Sequence, residues 1–508
     1  MKPTVSVLLL PGDSEPGALA RTVSSLVRQR ERAWELILCA PEPEATGAHD
    51  AEQGADPRIR VLAPEELKDT YPMQAALAAA RGDYIVVLEA GDEVEPGGLD
   101  GCLQYLSERP ETDVLYTDEQ WPGAGAEGIF TKPGFSRHYL EGFPYTGRLC
   151  LIRTALAREA GAFRAEMRRA EEWDLALRVT ERTSSVAHLP VVAVSRPDPP
   201  VRDEHSEAAG MLAVAEHMKR QGVSATLEPA GVPDGLLVWR EIQGAPLVSI
   251  VIPTAGGRRE VRGRQTLLVE NCVRSLLERT TYPHWEVVLA VNAHADVADV
   301  ASAKELLGSR LRTTTVEGPF NFSHSVNEGA RVARGELLLL LNDDTEVLEP
   351  RWLERMVSVA QDPAVGAVGA KLLFEDGRIQ HVGVLPNDSA YPIHALGSED
   401  DHVAPFGQTS VDMEYLAVTG AALMTPRAVF EQLGGFTTEL PLNFNDVDYC
   451  LKVAAIGRDV VVTPFARLYH FESSTRGHTS EPYELQFLQR HWGLRIAADR
   501  HVNYRSTR

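Results

Sequence analysis

The sequence predicts the α/β class, with two tandem Rossmann-like domains that each carry a mostly parallel sheet, and three observations support that expectation. Apolar runs of strand length alternate with helical patterns along both halves. The halves also echo one another: VSVLLLPG from Val5 answers VSIVIPTA from Val248, and WELILCAP from Trp34 answers WEVVLAVN from Trp285. A glycine leads into the next strand in each copy. ALAAARGDYIVVLEAGDEVEP answers EGARVARGELLLLLNDDTEVLEP, so that Gly82 pairs with Gly335, Glu89 with Asn342 and Gly91 with Asp344. A later echo joins EAGAFRAEMRRAEEWDLALRV to QLGGFTTELPLNFNDVDYCLKV.

The elements follow in order. Residues 1–200 form the first domain. Residues 201–245 read as a linker: polar, proline-rich sequence, then a helical pattern from Ala208 to Gln221, then strand material. Residues 246–482 form the second domain, and 483–508 a C-terminal helical tail. The 508 residues, 44% hydrophobic and 24% charged, suffice for two or three packed cores. A formal charge of −22 excludes a basic nucleic-acid groove and offers no polybasic handle for anionic lipid. The odd set of five cysteines has neither disulfide-framework nor zinc-ligand spacing, as expected for a reducing cytoplasm. The first apolar run is too short for a signal peptide, and no 18-residue apolar stretch spans a membrane. The expected location is cytoplasmic, with peripheral contact at the inner face of the plasma membrane left open.

The chemistry concentrates in the second half. GELLLLLNDDTEV reads as a buried parallel strand delivering carboxylates at its C-terminal end, where open α/β sheets bind ligands. Asp344 is the first expected ligand of a magnesium or manganese ion, with Asn342 or Asp343 beside it; such an ion neutralises a diphosphate leaving group. LNFNDVDYCLKVAAIG reads as a helix start with Asn443 or Asn445 as cap. Asp446 and Asp448 lie in its first turn on different sides. Asp446 is assigned as general base for an attacking sugar hydroxyl, and Asp448 as structural. Beyond the next strand His470 offers an imidazole ligand, and Arg476 and His478 lie in a polar loop suited to phosphate oxygens.

Taken together, VSIVIPT, FNFSHSVNEGARVARGELLLLLNDDTEV, DGRIQHVGV, AVTGAALMTPRAVFEQLGGF, FNDVDYCLKV and LYHFESSTRG resemble, in this order, blocks of the family-2 inverting glycosyltransferases of the GT-A fold. The resemblance is especially to bacterial enzymes of O-antigen, exopolysaccharide and cell-wall glycan assembly. The resemblance implies two tandem GT-A domains and a nucleotide-diphosphate sugar as donor. It places the metal on Asp344, the catalytic base on Asp446 and a metal-binding histidine on His470, with Asn342 at the first position of the DxD-type motif. The donor's base and ribose fall against Pro253, Thr254 and the Val291–Asn292 turn, with Asp343 also on the donor side. Many relatives carry an aspartate in that turn where this chain has Asn292, which leaves the nucleotide open. Acceptor-side residues by resemblance are His381, Thr419, Gly420 and Ala421. The implied acceptor is a glycan or lipid-linked intermediate, the mechanism a single displacement with inversion, and a homo-oligomer is compatible.

The first half resembles the same family with a worn site. Gly91 stands where Asp344 stands in the second copy, while Glu172 aligns with Asp446 and keeps a carboxylate there. Two readings stay open for it: a non-catalytic domain that supports folding, dimerisation or acceptor binding, and a second, unusual transferase. Asp118 and Glu119 in VLYTDEQ read as a surface turn. Two other functions compete for the whole chain. One is a sugar-nucleotide pyrophosphorylase, for which PTAGGRREVRGR would be the phosphate-gripping loop. The other is a non-catalytic glycan-binding or scaffold protein.

Overall fold

The computed structural model describes residues 3–10, 17–39, 56–67, 70–123, 128–197, 204–387, 391–394, 406–471 and 482–499. The chain divides into two compact units, the first reaching to Pro229 and the second beginning at Ala230, with the short segment Arg137–Tyr139 grouped with the second.

Unit 1 is built on a mixed sheet. Its strands lie in the order Ile59–Val61, Trp34–Leu38, Val5–Leu10, Tyr84–Glu89, Leu151–Arg153, Val114–Gln120, Val186–Ser195 and Glu93–Val94. The first four are parallel; Leu151–Arg153 is antiparallel to both its neighbours, and Val114–Gln120 and Val186–Ser195 are again parallel. The apolar runs are continuous because both faces are covered. Val5, Val7 and Leu9 enter one core with Leu36, Leu38, Val86 and Leu88, while Leu8, Ile37, Ile85 and Val87 enter the other. The helix Glu204–Arg220, expected in the linker, belongs to this unit: Arg164 reaches Glu216 at 2.6 Å and His217 meets Glu181 at 2.7 Å.

Unit 2 repeats the plan strand for strand: Leu311–Val316, Trp285–Asn292, Val248–Thr254, Leu337–Leu341, Ala422–Pro426, Val365–Leu373, Asp459–His470 and Thr345–Val347. The register repeats as well, with Val5 opposite Trp34 and Tyr84, and Val248 opposite Trp285 and Leu337. One corner shows why the Arg-Gly pair recurs. Ser249 donates to Glu286 at 2.7 Å, and the Gly335 and Arg334 amides donate to Ser249 at 2.7 Å and Glu286 at 2.8 Å. In unit 1, Ser6, Glu35, Arg81 and Gly82 make the same bonds at 2.6–2.8 Å. A side chain at Gly335 would meet Leu247 O at 2.5 Å and Ser249 N at 2.6 Å, so only glycine lets the chain pass this close. The expected C-terminal tail is part of this unit. Its helix Pro482–Ala497 buries Glu484, which accepts the Leu442 and Asn443 amides at 3.0 and 2.9 Å.

Candidate active site

The run Leu337–Leu341 is fully apolar and buried, and its C-terminal end turns through Asn342, Asp343 and Asp344 into the short strand Thr345–Val347. That strand pairs antiparallel with the end of Asp459–His470, setting Thr345 opposite His470, while Phe471 N–H donates to Asp344 O at 2.9 Å. Sheet pairing thus brings together residues far apart in sequence. His470 Nε2 lies 3.2 Å from Asp344 Oδ1 and 3.2 Å from the Asn342 amide group. His470 Nδ1 sits 2.7 Å from Gln380 Oε1, which fixes Nδ1 as the protonated nitrogen and turns Nε2 toward Asp344 and Asn342. The Asp344 carboxylate and the His470 imidazole nitrogen converge on one place and fit a divalent cation, while Asn342 turns its amide nitrogen toward the ring. Gln380, the residue that orients His470, was missed by sequence reasoning although it stands beside His381 in IQHVG.

Asp343 points elsewhere. Its carboxylate accepts from Thr254 Oγ at 2.6 Å, and that hydroxyl accepts from Gly256 N–H at 3.1 Å, so Asp343 and Thr254 share the end of the first strand. Pro253 is buried inside that strand. Asn292 is also buried and folds its carboxamide back onto the His294 amide at 2.9 Å, which stabilises the turn at the end of its strand.

Asp446 opens the helix Asn445–Ala455. Its Oδ2 accepts from Gly420 N–H at 2.8 Å and its Oδ1 from Val447 N–H at 2.8 Å. Asp448 faces away and is buried, accepting from Thr437 at 2.6 Å and Trp492 at 2.8 Å, with Lys452 at 2.8 Å. The expected asparagine cap is absent. Phe444, at φ 59°, precedes the helix without a capping side chain; Asn443 Nδ2 donates to Glu484 at 2.7 Å and Asn445 Nδ2 to Leu440 O at 3.3 Å. Within the first turn Asp446 accepts the Val447 amide, while Glu484 accepts the Leu442 and Asn443 amides of the segment that leads into the helix.

Residues 419–421 tie these parts together. Thr419 N–H donates to His381 Nε2 at 3.2 Å, Gly420 N–H to Asp446, and Asn342 N–H to Ala421 O at 3.0 Å. Adjoining residues therefore hold Asp446 and the start of the Asn342–Asp344 turn. His381 is 1% exposed and has both ring nitrogens engaged, Nδ1 with His394 at 3.0 Å. Burial first, then the neighbouring His394 and His470, push its pKa well below the usual histidine range. It is therefore a neutral ring that supports the Thr419 loop from behind. Arg476 and His478 lie outside the described residues.

Two other expectations are corrected. The segment proposed as a phosphate-gripping loop is a β-hairpin, Arg258–Val261 against Arg264–Leu267. At its tip Arg262 donates to the buried Glu346 at 3.1 Å and lies over the rings of Tyr469 and Phe471, 4.9 and 5.6 Å from their centroids. Asp118 and Glu119 are buried within the unit 1 sheet. Asp118 accepts from the Lys132 amide and His188, each at 2.8 Å, and Glu119 meets Lys132 at 3.4 Å. The partners that make burial tolerable come from distant segments.

In this α/β unit a buried strand ends in an Asn-Asp-Asp turn beside a histidine, and the Gly420–Ala421 segment links that turn to Asp446 through one hydrogen bond at each end. Residues 245–488, within the second unit, match the model of the glycosyltransferase-like family 2. Two curated relatives are each 34% identical. An uncharacterised protein of Sinorhizobium fredii aligns with 98% of this chain and 57% of its own length; the O-antigen biosynthesis protein RfbC of Myxococcus xanthus aligns with 94% and 38%. The chain thus spans less than two thirds of either relative. Solved structures with remote likeness include S. aureus TarS (17% identity, TM-score 0.33, covering 42% of this chain and 65% of that one). Another is GalNAc-T7 with UDP, GalNAc and Mn2+ (14%, 0.39, 50% of each). Among the described residues no helix is long and apolar enough to cross a membrane.

Proposed function

We propose that unit 2 is an inverting glycosyltransferase that moves a sugar from a nucleotide-diphosphate sugar onto a glycan or lipid-linked acceptor in bacterial surface-polysaccharide synthesis. The observation that carries the reading is the junction at Thr419–Ala421. It ties the turn bearing Asn342 and Asp344 to Asp446 within one hydrogen-bonded loop. The O-antigen relative and the family match support the reaction class.

Asp344 and His470, with Asn342 beside them, would hold a magnesium or manganese ion, which when bound neutralises the charge of the diphosphate. Thr254 and Asp343, linked at the end of the first strand, and Asn292 at the end of its neighbour, would line the nucleotide's side of the donor. Asp446 is the general base. Its carboxylate is oriented by the Gly420 and Val447 amides and takes the proton of the acceptor hydroxyl as that oxygen attacks the anomeric carbon. The bond to the diphosphate breaks on the opposite side, so the anomeric configuration inverts and no covalent sugar intermediate forms. His381 positions Thr419 and, through the loop, Asp446. Thr419, Gly420 and Ala421 stand at the acceptor side.

Calorimetric titration of UDP, dTDP and GDP into the full chain, with and without manganese, tests this reading. One nucleotide should bind in a manganese-dependent manner, and Asp344→Ala should weaken that binding at least tenfold. A folded protein that binds none of the three with manganese present would overturn it.

A further inference from the structure

Unit 1 contains a cation of its own where the worn site lies. Arg148 is 5% exposed and its guanidinium meets three carboxylates: Glu89 at 2.5 Å, Asp92 at 3.2 Å, and Glu172 in a short contact. Its backbone amide also donates to Glu119 at 2.9 Å. The internal repeat gives these positions a meaning. The Gly82–Gly335 pairing sets Glu89 on Asn342 and Asp92 on Thr345, the aligned helices set Glu172 on Asp446, and the shared Thr-Gly pair at 146–147 and 419–420 sets Arg148 on Ala421. Where unit 2 has a methyl group between its metal turn and Asp446, unit 1 has a guanidinium between the corresponding carboxylates.

The charges are nearly matched. Glu89, Asp92, Glu119 and Glu172 face Arg148, Lys132 and Arg196; Lys132 is fully buried 3.4 Å from Glu119, and Arg196 lies 3.5 Å from Glu119 and 3.8 Å from Asp92. Asp92 and Glu119 are buried, and carboxylates out of water this close to one another need cations. An arginine stays charged at any pH the protein meets and, unlike a bound ion, does not exchange. The position of the missing ligand is closed in another way: Gly91 has φ 106°, and a Cβ there would approach Pro197 Cγ to 3.1 Å, so a carboxylate is not readily restored.

We propose that Arg148 is the fixed internal cation of unit 1, standing in for a divalent metal among Glu89, Asp92 and Glu172, so that this unit takes up neither a divalent cation nor the metal complex of a nucleoside diphosphate. The comparison with unit 2 draws on the function proposed above, but the contacts of Arg148 stand without it. The outer rim of the cluster is open, with the side chains of Glu89 47% and Glu172 34% exposed, so an ion from solution can reach it once the guanidinium is removed.

The test uses the full chain carrying Asp344→Ala, titrated calorimetrically with manganese, with and without UDP. With Arg148 in place, no manganese uptake that depends on Glu89 is expected. Adding Arg148→Ala should create one manganese site at least tenfold tighter than any in the parent, and Glu89→Gln should remove it. Glu89-dependent uptake with Arg148 present overturns the proposal, as does a folded Arg148→Ala chain that gains no site. If Arg148→Ala does not fold, the first comparison decides alone. Because uptake is read through Glu89, failure of the metal reading in unit 2 would appear separately, as manganese binding in the wild type that Asp344→Ala leaves unchanged.

Discussion

Replacing Asp446 with asparagine separates the chemical role of this carboxylate from its structural one. The carboxylate accepts two backbone amides, Gly420 on Oδ2 and Val447 on Oδ1, both at 2.8 Å. A carboxamide has one acceptor oxygen, so one of these bonds is lost, a net structural cost of about 0.5–1.5 kcal/mol. Loss of a general base is larger. It lowers turnover by roughly 10²–10⁴-fold, which at about 1.36 kcal/mol per tenfold is about 2.7–5.4 kcal/mol of barrier. The chemical effect should therefore exceed the structural one. The assay is release of nucleoside diphosphate from the donor that binds, followed beside calorimetric affinity for the same nucleotide with manganese. Asp446→Asn should fall by 10²-fold or more in kcat while nucleotide affinity changes less than about threefold. Turnover within tenfold of wild type would refute the assignment of Asp446 as base. An equal loss of affinity would show that its loop contacts serve donor binding instead.

Two stability predictions follow from the frame. In unit 1, burial opposes the charge on His217, but Glu141 and Glu181 outweigh it and raise the histidine's pKa above its usual range. A raised folded-state pKa means that the interaction contributes fully below the unfolded-state value of about 6.5 and is lost as pH rises through the folded value. The melting temperature of unit 1 should fall as pH rises above 6.5, by about 2–4 °C per kcal/mol lost, and His217→Gln should flatten that slope; an unchanged slope in the variant would count against it. In unit 2, Gly335→Ala forces a methyl group against immobile backbone atoms at 2.5 and 2.6 Å, so denaturant unfolding should show a loss of about 1–3 kcal/mol or more. A variant as stable as wild type would contradict the close approach.

What the sequence shows best is what repeats. The echo between the halves marked the strands and the two-copy plan because strands buried on both faces are written as apolar runs, and two copies mark the same positions twice. The turn at Asn342–Asp344 and the first turn of the Asp446 helix were legible for a similar reason, since each lies at the boundary of a periodic element. Contacts that depend on pairing across the sheet were less visible. The approach of His470 to Asp344 follows from the antiparallel register of Thr345–Val347, and nothing in the spacing of these residues encodes it. Asp118 and Glu119 were misread because their partners, Lys132, Arg148, His188 and Arg196, lie far along the chain. Arg148 itself was within reach: setting TGRLC against TGAAL shows an arginine where the second copy has alanine. The hairpin at Arg258–Leu267 was missed because glycines among arginines look the same whether they grip phosphate or turn a strand.

The repeated register also poses a problem for the folding chain. Val5–Leu10 pairs with Trp34–Leu38, and Val248–Thr254 pairs with Trp285–Asn292, each beginning at a Val–Trp match and each closed by the same serine, glutamate and glycine corner. Backbone hydrogen bonding alone therefore does not tell a strand which copy it belongs to. The choice falls to side-chain packing and to order of synthesis: the first copy emerges and closes its sheet before the second is available, which removes a competitor that would otherwise satisfy the same register. Refolding of the full chain from denaturant lacks that order, and strand exchange between copies is the misfolded product it invites.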